Sequence, residues 1–150
     1  MYNIEELYQE IIIDHNQKPR NFGKLATATA SEEGYNPLCG DQVTVYIEFE
    51  DKVIKAIKFS GSGCAISKAS ASLMTESING KTKSQAHIIF NNFRQMITKT
   101  ADKNFDSNVL GDLEVLKNVS EFPARIKCAT LAWHTLKSIL DKNNTVISTK

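Results

Sequence analysis

The segment VTVYIEFEDKVIKAIKF, residues 43–59, contains the clearest strand pattern in the chain. Apolar residues alternate with more polar ones from Val43 to Phe49, which is typical of a strand with one buried face. A second segment rich in Val and Ile, residues 52–59, follows after a very short connection. Such a connection favours an antiparallel hairpin, although no Asn-Gly pair fixes the turn type.

The segments on both sides of this hairpin predict one further strand and several helices. Residues 27–34 are polar and are compatible with an edge strand. The apolar spacing predicts helices over residues 3–16, 65–78, 84–98 and 123–142, with a short helix near 112–117. Asn3 and Ser84 are the expected N-caps of the first and third of these helices, and residues 143–150 are expected to fray.

This order predicts an α+β fold in which helices pack on one face of a small antiparallel sheet of about three strands. The chain of 150 residues suits a single domain, residues 1–150, with a substantial core. The net charge of +1 gives no field that would favour nucleic acid or anionic lipid. We find no membrane-spanning run and no signal-peptide pattern, and we expect a cytoplasmic protein.

The three cysteines, Cys39, Cys64 and Cys128, are the residues most suited to chemistry. Their odd number and the expected reducing compartment argue against a disulfide framework. Each thiol is therefore a buried packing residue, a nucleophile or a metal ligand. Hairpin geometry brings the start of the first strand beside the end of the second, and so brings Cys39 and Cys64 to one edge of the sheet.

Cys128 falls about 110° from the centre of the apolar stripe of its helix, which predicts a position at the border with solvent. Three thiolates and the Asp41 carboxylate would form an acceptable tetrahedral Zn²⁺ site, and the same thiolates suit an iron–sulfur cluster. Plain buried cysteines remain an alternative, as does an Asp41 that only makes a turn hydrogen bond. Cys39 is the cysteine least typical of a buried packing residue, because its neighbours in sequence are Pro37, Gly40 and Asp41.

The sequence gives weaker support for a functional role of the other polar residues considered. Arg125 and Lys127 are possible auxiliary residues that would favour the Cys128 thiolate or contact an anionic partner, or else are solvated charges. None of the histidines is expected to be a ligand. His87 and His134 are expected on helix surfaces, and His15 at the end of the first helix, partly charged.

Four motifs in order, DHNQKPRNFG, NPLCGDQ, SGSGCAISKASASLMTE and FPARIKCATLAWHTL, resemble those of the IscU/NifU N-terminal family of iron–sulfur cluster assembly proteins. The similarity extends from about residue 7 to residue 140. Lys127 stands where IscU scaffolds have a histidine, and Cys128 follows Cys64 by 64 positions, a longer separation than in those scaffolds. Both features resemble the SufU branch of the family.

The resemblance implies Zn²⁺ held by Cys39, Asp41, Cys64 and Cys128, and sulfur transfer to the Cys39 thiol. The implied partners are a PLP-dependent cysteine desulfurase of the SufS type, which donates a persulfide sulfur, and the downstream iron–sulfur assembly machinery. Two alternatives stay open: an IscU-like scaffold that binds a nascent iron–sulfur cluster, and a protein whose zinc only stabilises the fold.

Overall fold

The computed structural model describes residues 4–38, 40–98 and 105–148. Its elements follow the order helix, three strands and then helices. They are α1 (Ile4–Gln17), β1 (Ala30–Asn36), β2 (Asp41–Glu50), β3 (Val53–Ser62), α2 (Ala65–Ile78), α3 (Lys83–Ile97), α4 (Ser107–Leu110), a 3₁₀ helix (Gly111–Glu121) and α5 (Pro123–Ser148). Within the described ranges, no helix is both long enough and apolar enough to cross a bilayer.

The sheet has the strand order β1-β2-β3, and both neighbouring pairs are antiparallel. The predicted hairpin is confirmed: Glu50 pairs with Val53 across a two-residue turn, in which Asp51 takes the left-handed conformation (φ 56°). Asp tolerates this conformation better than most residues, so the turn forms without the Asn-Gly pair. The polar edge strand also exists, and it starts three residues later and ends two residues later than predicted.

The predicted α+β fold is confirmed, because helices cover one face of the sheet. Along β2, the residues on the inner face are buried and alternate with half-exposed ones on the outer face. Three of them, Val43, Val45 and Ile47, pack in the core with residues of α2 and α5. On the helical side, the Trp133 ring of α5 stacks on Phe93 of α3, with centroids 4.3 Å apart.

The helix boundaries agree with the sequence except at two ends and in one segment. The short helix predicted near 112–117 is instead α4 followed by the longer 3₁₀ helix. Ser84 is not the N-cap of α3: Thr82 accepts from the Gln85 amide, and the Gln85 side chain accepts from the Thr82 amide. This reciprocal capping box satisfies two N–H groups at once, which a cap at Ser84 would not do. Helix α5 continues to Ser148 instead of ending near Lys142. The Asn3 cap of α1 lies outside the described residues.

His15 differs from its prediction as a partly charged helix-end residue. The residue is 4% exposed, and its Nδ1 atom lies 2.8 Å from the Ser72 hydroxyl of α2. Burial lowers the pKa of the imidazole and outweighs the opposing effect of Glu76, whose carboxylate lies 3.7 Å from Nε2. His15 is therefore a neutral contact between α1 and α2, and the predicted partial charge was wrong.

Candidate metal centre

Asp41, Cys64 and Cys128 meet at one end of the sheet. One ligand atom from each residue, a carboxylate oxygen or Sγ, lies within 4.8 Å of the other two. The three residues come from the start of β2, the N-terminus of α2 and the second turn of α5. Parts of the chain that are far apart in sequence thus place three metal-binding groups together.

Asp41 forms the buried base of this cluster. The residue is 0% exposed, and its Oδ1 accepts a hydrogen bond of 2.9 Å from the Cys64 backbone N–H. Gly63 passes directly over the carboxylate, because a Cβ at this position would lie 2.6 Å from Oδ1. Glycine at 63 therefore allows the turn between β3 and α2 to approach Asp41 and to present Cys64 beside it.

Cys64 is the N-cap of α2. Its Sγ accepts from the Ser67 backbone N–H at 3.4 Å and lies 3.9 Å from Asp41 Oδ2. The first N–H groups of a helix have no partner within the helix and carry partial positive charge. The Ser67 N–H is such a group, and the Cys64 sulfur accepts from it.

Cys128 is buried, with 1% of its surface exposed, and does not lie at the predicted border with solvent. The helical wheel considers only the apolar stripe of α5 itself, and this stripe does point elsewhere. Helix α5 packs against α2 and the sheet, and a single-helix argument does not include this tertiary packing. Its Sγ lies 3.7 Å from the Ala124 carbonyl oxygen, within α5.

The donor set suits Zn²⁺. In a tetrahedral site with Zn–S bonds of about 2.3 Å, neighbouring sulfurs are about 3.8 Å apart. The Cys64 Sγ to Asp41 Oδ2 distance of 3.9 Å is close to that edge length. The 4.8 Å limit on the whole group requires a contraction of at most about 1 Å. Two thiols and one carboxylate therefore fit three corners of a zinc site, with a fourth corner to be filled.

The remaining predicted site residues have different outcomes. Cys39 lies outside the described residues, so its place at the fourth corner stays a prediction. Arg125 and Lys127 are exposed on the first turns of α5. The metal-binding group found in the described part of the chain contains no histidine, and His134 is exposed as expected, while His87 is half-buried.

Two neighbours of the cluster are not among the residues predicted from the sequence. Gly63 lies against the Asp41 carboxylate. Asn36 pairs with Asp41 across β1 and β2 and is 7% exposed. A signal for Asn36 was present, because Asn before a proline commonly closes a turn with its side chain.

Comparison with known proteins agrees with this architecture. Residues 7–129 match the model of the NifU-like N terminal domain family. The iron-sulfur cluster assembly scaffold protein IscU of Thermotoga maritima is 42% identical over 91% of this chain and 94% of its own length. The zinc-dependent sulfurtransferase SufU of Bacillus subtilis is 41% identical over 90% of both chains.

A solved structure of a related protein has the same fold. The crystal structure of FiSufU from Fervidobacterium islandicum, a protein named for iron-sulfur cluster assembly in the SUF system, superposes with a TM-score of 0.83. The two proteins are 41% identical, and the match covers 91% of this chain and 98% of the other. The resemblance stated from the motifs is confirmed: the chain belongs to the NifU-like N-terminal domain family of iron–sulfur cluster assembly proteins, whose members include IscU and SufU.

Proposed function

We propose that this protein is a zinc-dependent sulfurtransferase of iron–sulfur cluster assembly that accepts persulfide sulfur on Cys39. The observation that carries the proposal is the convergence of Asp41, Cys64 and Cys128 within 4.8 Å. Cys39 lies two positions before Asp41 in the sequence and would complete a Cys₃Asp set. The name of the B. subtilis relative supports this activity.

In the proposed mechanism, Cys39 accepts the sulfur while Asp41, Cys64 and Cys128 hold the metal ion. Bound Zn²⁺ stabilises thiolates at neutral pH. The Cys39 thiolate attacks the terminal sulfur of a persulfide on the donor protein, which breaks the donor S–S bond and forms a new one on Cys39. The donor cysteine leaves as a thiolate, so the transfer involves no net oxidation. Asp41, Cys64 and Cys128 remain in place on their buried elements.

A PLP-dependent cysteine desulfurase of the SufS type is the proposed sulfur donor, and the downstream iron–sulfur assembly machinery is the acceptor. Apolar side chains that a partner would cover lie in the segments next to the cluster. Tyr35, Leu38 and Phe122 are 63%, 74% and 61% exposed. Exposed aromatic and aliphatic residues beside a functional group are typical of a protein-binding surface.

A scaffold that binds a nascent iron–sulfur cluster is the second candidate, because the T. maritima relative carries that name and thiolates also ligate such clusters. The test is elemental analysis of the purified protein together with desulfurase turnover. The wild type should contain one zinc ion per chain and stimulate turnover. Asp41→Ala should lose zinc, and Cys39→Ala should fail to stimulate.

Iron with acid-labile sulfide, and no stimulation by the wild type, would favour the scaffold. Zinc without stimulation by a SufS-type desulfurase would leave a metal that only stabilises the fold, and the sulfurtransferase proposal would be withdrawn.

A further inference from the structure

Asn36, the last residue of β1, has a buried side-chain amide whose hydrogen bonds are only partly satisfied. The residue is 7% exposed, and its Nδ2 atom is fully buried with no hydrogen-bond partner among the residues that the structure describes. A buried amide N–H without a partner is unfavourable, and such groups in native proteins generally have a specific explanation. One explanation is a ligand that accepts a hydrogen bond from this NH₂ group.

The orientation of this amide is fixed by the turn that follows. Oδ1 accepts from the Leu38 backbone N–H at 3.2 Å, and the Asn36 carbonyl accepts from the Gly40 N–H at 2.8 Å. Because Leu38 supplies a hydrogen, the atom facing it must be the oxygen, and the NH₂ group must face the other way. Asn36 thus closes the turn with one end of its amide and leaves the other end available.

The sheet register places Asn36 beside the metal centre. Asn36 pairs directly with Asp41, so the two side chains project from the same face with Cβ atoms about 5 Å apart. That face is the inner one, since Asp41 is buried, while the adjacent pair, Tyr35 and Gln42, lies on the outer face. The Asn36 side chain therefore starts beside Asp41 on the same buried face, and its NH₂ group makes no hydrogen bond to the Asp41 carboxylate in the described structure.

We propose that the Asn36 amide binds the anionic sulfur that is delivered to this centre. This inference rests on the proposed function and extends it by naming a residue that holds the transferred atom. Cys39, the proposed acceptor, is three residues after Asn36 in the sequence. The terminal sulfur of a persulfide carries negative charge when deprotonated, and an N–H donor stabilises that charge in a buried site better than in water.

The matched variants are Asn36→Asp and Asn36→Ala. Aspartate keeps an oxygen for the Leu38 N–H and replaces the NH₂ group with a second oxygen, whereas alanine removes both functions. Gln42→Glu is the control for charge, because it adds a carboxylate one residue from Asp41 on the outer face. Each protein is loaded with zinc and incubated with a SufS-type desulfurase and cysteine, and its persulfide is measured over time by intact mass.

We expect Asn36→Asp to be less stable than the wild type, because it buries a second carboxylate beside Asp41, and the folded, zinc-loaded variant to accept sulfur at least about tenfold more slowly. Gln42→Glu should behave as the wild type. If Asn36→Asp accepts sulfur at the wild-type rate while Asn36→Ala is impaired, the amide only closes the turn and the inference is wrong. Equal losses in Asn36→Asp and Gln42→Glu would reduce the effect to general charge repulsion and also overturn it.

A measurement on the wild type covers the case in which Asn36→Asp does not fold. The side-chain NH₂ signals of Asn36 in ¹⁵N-labelled protein should shift on sulfur loading, with slower hydrogen exchange of one proton. Unchanged signals would contradict the inference. If the wild type accepts no sulfur at all, the proposed function itself has failed, and the inference falls with it.

Discussion

At the residue scale, the metal centre depends on how closely the backbone approaches one carboxylate. Asp41 lies under the turn from β3 to α2, and the Cys64 N–H reaches Oδ1 only because residue 63 has no side chain. Neighbours that hold a metal ligand contribute to metal affinity although they do not touch the ion. In the proposed zinc site, Gly63 and the Cys64 N–H would have that role.

The first prediction concerns Gly63→Ala. The new methyl group would lie 2.6 Å from Asp41 Oδ1, so either the carboxylate or the turn must move. We expect zinc affinity to fall by about 10- to 100-fold, as for other changes in groups that support a metal ligand. Competition with a chromophoric zinc chelator measures the affinity. Ser62→Ala, at an exposed neighbouring position, is the control, and an unchanged affinity in Gly63→Ala would contradict the role of Gly63.

The second prediction concerns His15, whose pKa burial lowers below the usual value. Its charged neighbours are Asp14 and Arg20 nearby in sequence, Glu76 on α2 and Asp112 on the 3₁₀ helix. Because the unfolded chain binds the proton more readily, the contribution of His15 to stability is complete above about pH 6.5 and is lost progressively as the pH falls.

Thermal unfolding of zinc-free protein as a function of pH checks this expectation against His15→Gln, which cannot titrate. The wild type should be the more stable protein at neutral pH, and the difference should shrink below about pH 6.5. Parallel curves for the two proteins would show that His15 does not titrate differently on folding.

At the scale of elements, the cluster depends on how α2 and α5 pack, since these helices supply Cys64 and Cys128. Ser70, on α2, is completely buried and joins them. Its hydroxyl donates to the Ala129 carbonyl at 2.5 Å and accepts from Trp133 Nε1 at 3.1 Å. The residue next to Cys128 is thereby held at a fixed position relative to α2.

The third prediction is that Ser70→Ala weakens both stability and metal binding. Loss of the hydroxyl leaves the buried Trp133 N–H without its acceptor, at a cost of about 1–3 kcal/mol. For a chain of this length, the unfolding midpoint should fall by about 2–4 °C for each kcal/mol. Trp133 is the only tryptophan in the chain, so its fluorescence reports unfolding directly.

Zinc affinity should fall as well in Ser70→Ala, since Cys64 and Cys128 are then less firmly held relative to each other. Ser77→Ala, at a half-buried position of the same helix, is the matched control. A Ser70→Ala protein with reduced stability but unchanged zinc affinity would separate the packing role of Ser70 from the geometry of the centre.

At the scale of the whole molecule, the sequence predicted the architecture better than the details of the site. Alternation in residues 43–49 and apolar spacing in the helices are local consequences of burial, so the fold class and most elements were confirmed. The α3 cap was misplaced by two residues because Thr82 and Ser84 are both capable caps, and only Gln85 decides between them.

The site was predictable only as far as single elements and motifs allow. Hairpin geometry and the family motifs brought Asp41, Cys64 and Cys128 together as ligand candidates. The burial of Cys128 and the neutral state of His15 depend on contacts between helices, which no periodicity contains. The unpartnered amide of Asn36 became visible only when the register of β1 and β2 was known.

Zinc should also link these distant segments thermodynamically. An ion that binds the folded chain and not the unfolded one stabilises it by about 2.7 kcal/mol at one hundred times its dissociation constant. The start of β2, the start of α2 and the second turn of α5 would then resist unfolding together. Metal binding and added stability would then both follow from the convergence of Asp41, Cys64 and Cys128.

The most direct test of the central claim is to locate the transferred sulfur. Zinc-loaded wild-type protein is incubated with a SufS-type desulfurase and cysteine, alkylated, digested and mapped by mass spectrometry. The account predicts one additional sulfur atom on the peptide containing Cys39, and none on those containing Cys64 or Cys128. Sulfur on either of these two cysteines, or on no cysteine while iron and sulfide accumulate, would contradict it.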